Sequence, residues 1–252
     1  MKLTFLGTGT SHGVPMIGCD CTVCTSTDPR NMRTRSSALI ETDGISLLID
    51  TSPEFRLQIL RENIRQIDAI LYTHAHADHL FGLDDIRRFN DMSRKAICCY
   101  GSAETLYTIR QAFDYIFIPT QAGGGKPQLE LVNVDTTFNV YNIQITPIPV
   151  LHGQLNILGY RIGDLAYITD CSSIPDSSME LLADLNTLIL GVLRTEPHET
   201  HFSISQGLAI AQELKPKRVF FTHIAHRLDH ETTNRALPQN IQLAHDGLQI
   251  EL

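Results

Sequence analysis

No stretch of the 252-residue sequence approaches the ~18 consecutive apolar residues of a membrane-spanning helix, so no membrane span is expected. Basic residues are scarce. Lys and Arg total 20 against 28 Asp and Glu, a formal net charge of −8. The broad basic footprint of a protein that binds long nucleic acids is therefore missing. Charged residues make up only 19% and hydrophobic residues 42%, which excludes a disordered chain and provides for a sizeable core. Internal repeats and low-complexity tracts are absent. The N-terminus, Met1 to Gly7, turns polar too soon for a signal peptide, and the expected location is the cytoplasm. The length suits one or two domains, and a single α/β domain of this size is common.

Cysteine is sparse, six in all, but three crowd into Cys19-Asp20-Cys21-Thr22-Val23-Cys24. A secreted disulfide scaffold would be smaller and would spread its cysteines. Thiols this close cannot easily pair with one another. In a reducing compartment the C-x-C-x2-C spacing reads as part of a metal site that needs one more ligand.

Short β-rich runs recur: 2–6, 37–41, 46–50, 69–73, 96–100, 129–134, 139–148, 159–162, 165–169, 187–192 and 218–222. Several end in a polar residue that can carry chemistry, namely Asp50, His74, His152, Asp170 and His223. Helical patterns lie between the runs. Leu106, Ile109, Phe113 and Phe117 form an amphipathic stripe. Ser203 and Gln206 predict a capping box opening a helix through Leu214, stopped by Pro216. A further helix is expected over 53–65 with Pro at its first turn. This alternation fits an α/β layered fold with two β-sheets covered by outer helices better than a single parallel sheet, and by itself does not decide between them. The loop 119–127 holds three glycines and two prolines. Gly123-Gly124-Gly125-Lys126 is not a phosphate loop, because Pro127 stands where Ser or Thr and a helix start are needed.

The densest chemical signal is Thr73-His74-Ala75-His76-Ala77-Asp78-His79, directly after the apolar run 69–72. In extended chain His74 and His76 point to the same side, and a turn brings Asp78 and His79 to a neighbouring point. Three imidazoles and a carboxylate in six residues are costly to bury unless they bind something.

This H-x-H-x-D-H motif resembles that of the metallo-β-lactamase-fold hydrolases. The resemblance implies an αβ/βα sandwich of two mixed sheets flanked by helices, one domain over 1–252, with a zinc-binding loop at 19–24. Further matching positions are Asp50, His152, Asp170 and His223. The resemblance implies one divalent ion on His74, His76, His152 and Asp170, and a second on Asp78, His79, Asp170 and His223. Imidazole and carboxylate donors suit Zn, Mn or Fe without choosing between them. An aspartate rather than a cysteine at position 170 resembles the phosphodiesterases and thioesterases of the superfamily, with Cys171 one residue later.

A narrower resemblance links Gly7-Thr8-Gly9-Thr10-Ser11-His12-Gly13-Val14-Pro15, the three cysteines and Thr222-His223-Ile224-Ala225-His226 to the PhnP family of cyclic phosphodiesterases. It implies a structural Zn on Cys19, Cys21, Cys24 and His226. It also implies a catalytic role for His201, donating a proton to the leaving oxygen, with Asp78 orienting the attacking hydroxide that the dinuclear metals activate. His198 competes with His201 for that role. The flanking His12, His230 and His245 read as structural or surface residues, and Arg33 and Arg35 as solvated side chains with a lesser claim on a phosphate. The expected substrate is a small cyclic phosphodiester, phosphoribosyl 1,2-cyclic phosphate or a 2′,3′-cyclic nucleotide, and a homodimer is the family-level expectation. The alternatives are a tRNase Z-like nuclease, a thioester or lactone hydrolase, and a non-hydrolytic PqqB-like carrier. The first lacks its usual basic arm here, and the last lacks the usual hydrolase site, whereas all seven expected ligands are present in this chain.

Overall fold

A computed structural model describes residues 1–119 and 125–252. The glycine-rich segment read from the sequence at 119–127 falls largely outside the described residues. The first half of the chain runs β1 (Lys2–Gly7), β2 (Ser37–Thr42), β3 (Ile45–Ile49), α1 (Phe55–Arg61), β4 (Ala69–Leu71), α2 (Ala77–Leu80), α3 (Arg87–Ser93), β5 (Ile97–Gly101), α4 (Ala103–Ala112), α5 (Asp114–Phe117) and β6 (Leu129–Asn133). The second half runs β7 (Phe138–Val140), β8 (Ile143–His152), β9 (Leu155–Ile162), β10 (Leu165–Ile168), α6 (Asp176–Leu181), β11 (Thr187–Arg194), β12 (Phe202–Ser203), α7 (Ile204–Leu214), β13 (Arg218–Thr222), α8 (His230–Ala236) and β14 (Ile241–Leu243). Then β15 (Gln249–Glu251) returns to the first sheet.

The strand order is β15-β1-β2-β3-β4-β5-β6 in one sheet and β14-β13-β11-β10-β9-β8-β7 in the other, with β12 beside β11. Both sheets are mixed: β3 to β6 run parallel, as do β10, β11, β13 and β14, and antiparallel hairpins flank them. At the outer edge of the first sheet β15 lies antiparallel to β1. Lys2 faces Glu251 there, and the Leu252 amide donates to the Met1 carbonyl at 2.9 Å.

Side chains alternate between two cores. Leu47 and Ile49 of β3, Tyr160 of β9 and Tyr167 of β10 fill the space between the sheets. Leu48 faces the helices of the first half, and Ala166 and Ile168 face those of the second. Buried on both faces, such strands read as continuous apolar runs rather than alternating ones. Phe5 and Phe220 meet across the inter-sheet core at 5.8 Å between ring centroids, and burying each contributes roughly 1.5–3 kcal/mol. The sheets are also joined next to the site, where Leu158 N donates to the Thr73 carbonyl at 3.0 Å.

Several local expectations change. The run 139–148 is not one strand: Tyr141 takes φ 54° and turns the chain into the β7–β8 hairpin. The stripe 106–117 breaks at Phe113 into α4 and α5. The helix expected over 53–65 is limited to Phe55–Arg61, with Glu54 as N-cap. Arg33 is not solvated. It is 2% exposed, and its guanidinium donates to Thr8 Oγ1 at 2.8 Å and the Ala244 carbonyl at 2.6 Å, beside His230 Nδ1 at 3.1 Å. Arg35 is paired with Glu54 and donates to the Ser11 carbonyl. Among the described residues no helix is long and apolar enough to cross a membrane.

Candidate active site

Five strand exits converge at one edge of the sandwich. Asp50 follows β3, the 73–79 segment follows β4, His152 ends β8, Asp170 follows β10 and His223 follows β13. Three of these residues leave their strands in the left-handed region, Asp50 at φ 59°, Asp170 at φ 51° and His223 at φ 57°. Such backbone costs on the order of 1–3 kcal/mol at a non-glycine residue and concentrates where a side chain must be aimed. Beneath Asp170 the sheet leaves no room. A Cβ on Gly191 would come within 2.8 Å of the Asp170 amide nitrogen, so β11 can pass there only as glycine.

The donor atoms of His74, His76 and His152 lie within 4.8 Å of one another, and so do those of Asp78, His79, Asp170 and His223. Asp170 joins the two sets. Its Oδ1 is 3.2 Å from His79 Nε2, and its Oδ2 is 3.1 Å from His223 Nε2 and 3.9 Å from His74 Nε2. His74 Nε2 and His76 Nδ1 face each other at 3.0 Å. At the centre the buried Asp78 Oδ2, His79 Nε2 and both ring nitrogens of His223 have no hydrogen-bond partner. Unpartnered buried polar atoms are rare in folded proteins. Here they belong to imidazoles and carboxylates whose lone pairs converge, which is the chemistry of divalent-cation donors. The residues present therefore fit a dinuclear metal centre.

The remaining ring nitrogens are fixed from behind. His79 Nδ1 donates to Asp50 Oδ2 at 2.7 Å, and Asp50 also accepts from Thr73 N and Thr73 Oγ1, each at 2.8 Å. His152 Nδ1 donates to the Thr200 carbonyl at 2.8 Å. Each such bond sets the tautomer and leaves Nε2 free to face the centre. Thr73 also lies 3.0 Å from His74 Nδ1. Sequence reasoning passed over Thr73 and the Thr200 carbonyl. Thr73 is adjacent to the motif, but a backbone carbonyl carries no signal in residue identity.

Charge is balanced inside the cluster. Burial alone would raise the Asp170 carboxyl, yet His223 and His79 hold it well below the usual carboxylate range. Asp78 is likewise lowered against its burial, by His79 and then His223. His79, despite complete burial, is raised well above the ordinary imidazole value by Asp170, Asp50 and Asp78. Burial pushes His74 well down.

His201 stands against this cluster. Its ring stacks on His223 at 4.9 Å between centroids and lies 4.7 Å from the ring of His152. Its nearest donor atom is within 4.8 Å of those of His152 and Asp170. Burial, and then His223, push it down to about 3. The Ser203–Gln206 capping box at the start of α7 fixes the segment just after it. His198 sits behind His201 at 5.2 Å, and its Nδ1 is occupied by Thr200 N at 3.3 Å and Thr200 Oγ1 at 3.2 Å. His12 lines a neighbouring cleft, while His230 and His245 pack on each other away from the cluster.

A second cluster lies beside the first. The Sγ atoms of Cys19, Cys21 and Cys24 are 3.2, 3.4 and 3.5 Å from His226 Nδ1. The Cys24 amide holds the Cys21 thiol down to about 6, whereas burial pushes Cys24 up to about 11. Four N and S donors converging on one point fit a structural zinc ion.

Residues 46–224 match the family described as a beta-lactamase superfamily domain. The chain is 38% identical over 255 residues to a Porphyromonas gingivalis protein named octanoyltransferase, covering 99% of this chain and 51% of that protein. It is 32% identical over 130 residues to coenzyme PQQ synthesis protein B of Methylobacterium radiotolerans, covering 46% of this chain and 40% of that one. The chain spans about half or less of the length of these curated relatives. Among solved structures it superposes on a diphosphatase from the PhnP family with a TM-score of 0.93 and 48% identity, over 100% of this chain and 97% of that one. Zinc-bound PqqB from Methylobacterium extorquens superposes with a TM-score of 0.79 at 21% identity, over 100% of each chain, a likeness of fold alone.

Proposed function

The chain belongs to the beta-lactamase superfamily, and from that premise we propose that it is a metal-dependent hydrolase whose substrate is a small cyclic phosphodiester, phosphoribosyl 1,2-cyclic phosphate or a 2′,3′-cyclic nucleotide. The observation that carries this reading is His201, whose ring lies on the edge of the donor cluster against His152 and His223. It is supported by 48% identity over the whole chain to a PhnP-family diphosphatase.

In this reading His74, His76, His152 and Asp170 hold one divalent cation, and Asp78, His79, Asp170 and His223 hold the other. Such a pair, when bound, supplies charge neutralisation at the phosphoryl oxygens and lowers the pKa of water. The chain's own residues do the rest. Asp50 and the Thr200 carbonyl keep His79 and His152 in the tautomer that presents Nε2. Asp78, held ionised, turns Oδ2 toward the donor set of the second cation and leaves its other carboxylate oxygen to orient the attacking water. His201 is neutral in the free protein because burial depresses it. Negative charge gathering on the phosphoryl group raises its basicity, so it takes up a proton from solvent when substrate binds and passes it to the departing alkoxide, while the proton lost by the attacking water returns to solvent. Cys19, Cys21, Cys24 and His226 hold a structural zinc that ties the N-terminal loop to the segment carrying His223.

The identity to one half of a protein named octanoyltransferase favours a second reading, hydrolysis of a thioester. One panel separates the two: bis-p-nitrophenyl phosphate, 2′,3′-cyclic nucleotides, ribose 1,2-cyclic phosphate and an octanoyl thioester, with metal analysis of the protein. Turnover of cyclic diesters with three metals per chain is expected. Turnover of the thioester alone overturns the first reading.

A further inference from the structure

His223 is held differently from its neighbours in the donor cluster. Nδ1 of His79 and of His152 each has an oxygen partner, Asp50 and the Thr200 carbonyl, whereas no protein group bonds Nδ1 of the buried His223. The His223 ring is stacked on those of His79, at 5.8 Å, and His201, at 4.9 Å. Stacking sets the plane of a ring but not its rotation within that plane. The direction of Nε2 therefore comes from the backbone, which is left-handed at His223 with φ 57°.

That backbone is clamped by the segment leaving β1. The Ile224 amide donates to the Thr8 carbonyl at 2.8 Å, and the Thr10 amide donates to the Ile224 carbonyl at 3.2 Å. Between them, a Cβ on Gly9 would come within 2.8 Å of the Arg33 carbonyl, so the segment presses against its neighbour only as glycine. Thr8 is fully buried and joins two opposite charges. Its amide and Oγ1 donate to Asp246 Oδ1, at 2.9 and 2.8 Å, and Oγ1 accepts from the Arg33 guanidinium at 2.8 Å. Asp246 Oδ2 accepts from Thr34 N at 2.8 Å, Thr34 Oγ1 at 2.6 Å and Arg61 Nη1 at 3.2 Å. Both carboxylate oxygens are thus occupied by donors, and bonds to an ionised acceptor are about twice as strong as neutral ones. Asp246 belongs to none of the metal-donor sets found among the described residues.

We propose that Asp246 and Thr8 are positioning residues for the cation on Asp78, His79, Asp170 and His223. They bind no cation themselves. Asp246 fixes Thr8, the Thr8 carbonyl fixes the Ile224 amide, and His223 Nε2 is thereby turned toward Asp170 Oδ2, at 3.1 Å, and Asp78 Oδ2, at 3.6 Å. The backbone clamp takes the place of the ring bond that orients His79 and His152. The cation on His74, His76, His152 and Asp170 has no ligand in the clamped segment and does not depend on it. The proposal rests on the two-cation reading above and is independent of the substrate.

The test compares wild type with three variants. Thr8→Val keeps the shape and backbone groups of Thr8 but removes the hydroxyl between Arg33 and Asp246, Thr8→Ser keeps that hydroxyl, and Asp246→Asn removes the charge. Each protein is loaded with zinc and equilibrated with graded chelator buffers, and the ions per chain are counted. Exchange of the 223–226 amides is followed by hydrogen–deuterium mass spectrometry. In Thr8→Val and Asp246→Asn one ion of the centre should leave at about 10–100-fold higher free zinc, the range for losing a group that orients a ligand. The other ion of the centre and the ion on the cysteine cluster should keep their wild-type midpoints. The 223–226 amides should exchange about 10-fold faster in both variants, as local opening becomes easier. Thr8→Ser should match wild type in both readouts. Unchanged midpoints in Thr8→Val, equal weakening of every ion, or a Thr8→Ser variant as weak as Thr8→Val each overturn the proposal. If Asp246→Asn does not fold, Thr8→Val decides. If wild type holds a single ion in the centre, the two-cation reading fails, and the clamp on His223 is upheld by faster exchange in Thr8→Val and overturned by equal exchange.

Discussion

Replacing Asp50 with asparagine removes one charge and almost nothing else. Asp50 is fully buried and left-handed at φ 59°, a conformation asparagine tolerates as well as aspartate, so the variant should fold. Its carboxylate accepts three hydrogen bonds: Oδ1 from Thr73 N, and Oδ2 from Thr73 Oγ1 and His79 Nδ1. An amide has one acceptor atom. If its oxygen takes the Oδ1 place, the NH2 group confronts His79 Nδ1 and turns that imidazole to the tautomer with a proton on Nε2. Nε2 is the nitrogen that faces Asp170 and Asp78, so a cation donor is lost. If the oxygen takes the Oδ2 place, the NH2 group meets the Thr73 amide donor to donor. Either arrangement disturbs the back of the centre. Losing such a partner typically costs 10–100-fold in metal affinity, or about 1.4–2.7 kcal/mol. Metal-loaded protein is equilibrated with graded chelator buffers and the ions per chain are counted. The midpoint for the histidine–aspartate centre should move by that factor, while one ion on the separate cysteine cluster stays. A midpoint within twofold of wild type refutes the argument that Asp50 sets the His79 tautomer.

His201→Ala should retain its full metal content yet lose about 10²–10⁴-fold in kcat, the ordinary range for acid–base help. Steady-state kinetics on a cyclic diester, with metal analysis of the same sample, checks both halves. Cys21→Ser should lose one zinc per chain and unfold at lower temperature, and an unchanged zinc count removes the structural-zinc assignment. His230 gives a pH signature. Burial, then the Arg33 guanidinium, push it down to about 4, so the fold disfavours its protonation. Its contribution is whole above the ordinary value near 6.5 and is lost as pH falls from there through about 4. That amounts to about 1–2 kcal/mol between pH 7 and pH 5. In urea unfolding His230→Gln should lose less stability over that interval than wild type does, and equal losses in the two proteins count against the assignment.

Legibility from sequence followed the range of the interactions. The H-x-H-x-D-H segment is local, and its residues meet because one strand exit and one short helix carry them. Asp170 and His223 are single residues after apolar strands, and only resemblance distinguished them from turn residues. The signal that marks them physically, a left-handed backbone at a strand end, has no residue code. Arg33 was misread for a related reason. Its acceptors come from Thr8 and Ala244 and its third neighbour is His230, so nothing near it in the chain announces a buried guanidinium. The β7–β8 turn was hidden because Tyr141 and Asn142, rather than glycine or proline, make it. Asp246 drew no attention in the sequence, because the Thr8 it holds is 238 positions away.

The pairing of β15 with β1 closes the molecule almost into a ring. β1 is six residues long and runs toward the catalytic edge, so Met1 and Leu252, hydrogen-bonded to each other, lie about 20 Å from that edge at the opposite end of the sheet. Extra protein joined at either terminus starts on the side away from that edge. Growth by fusion can therefore begin clear of the donor cluster, and the chain aligns to 51% of a longer bacterial relative.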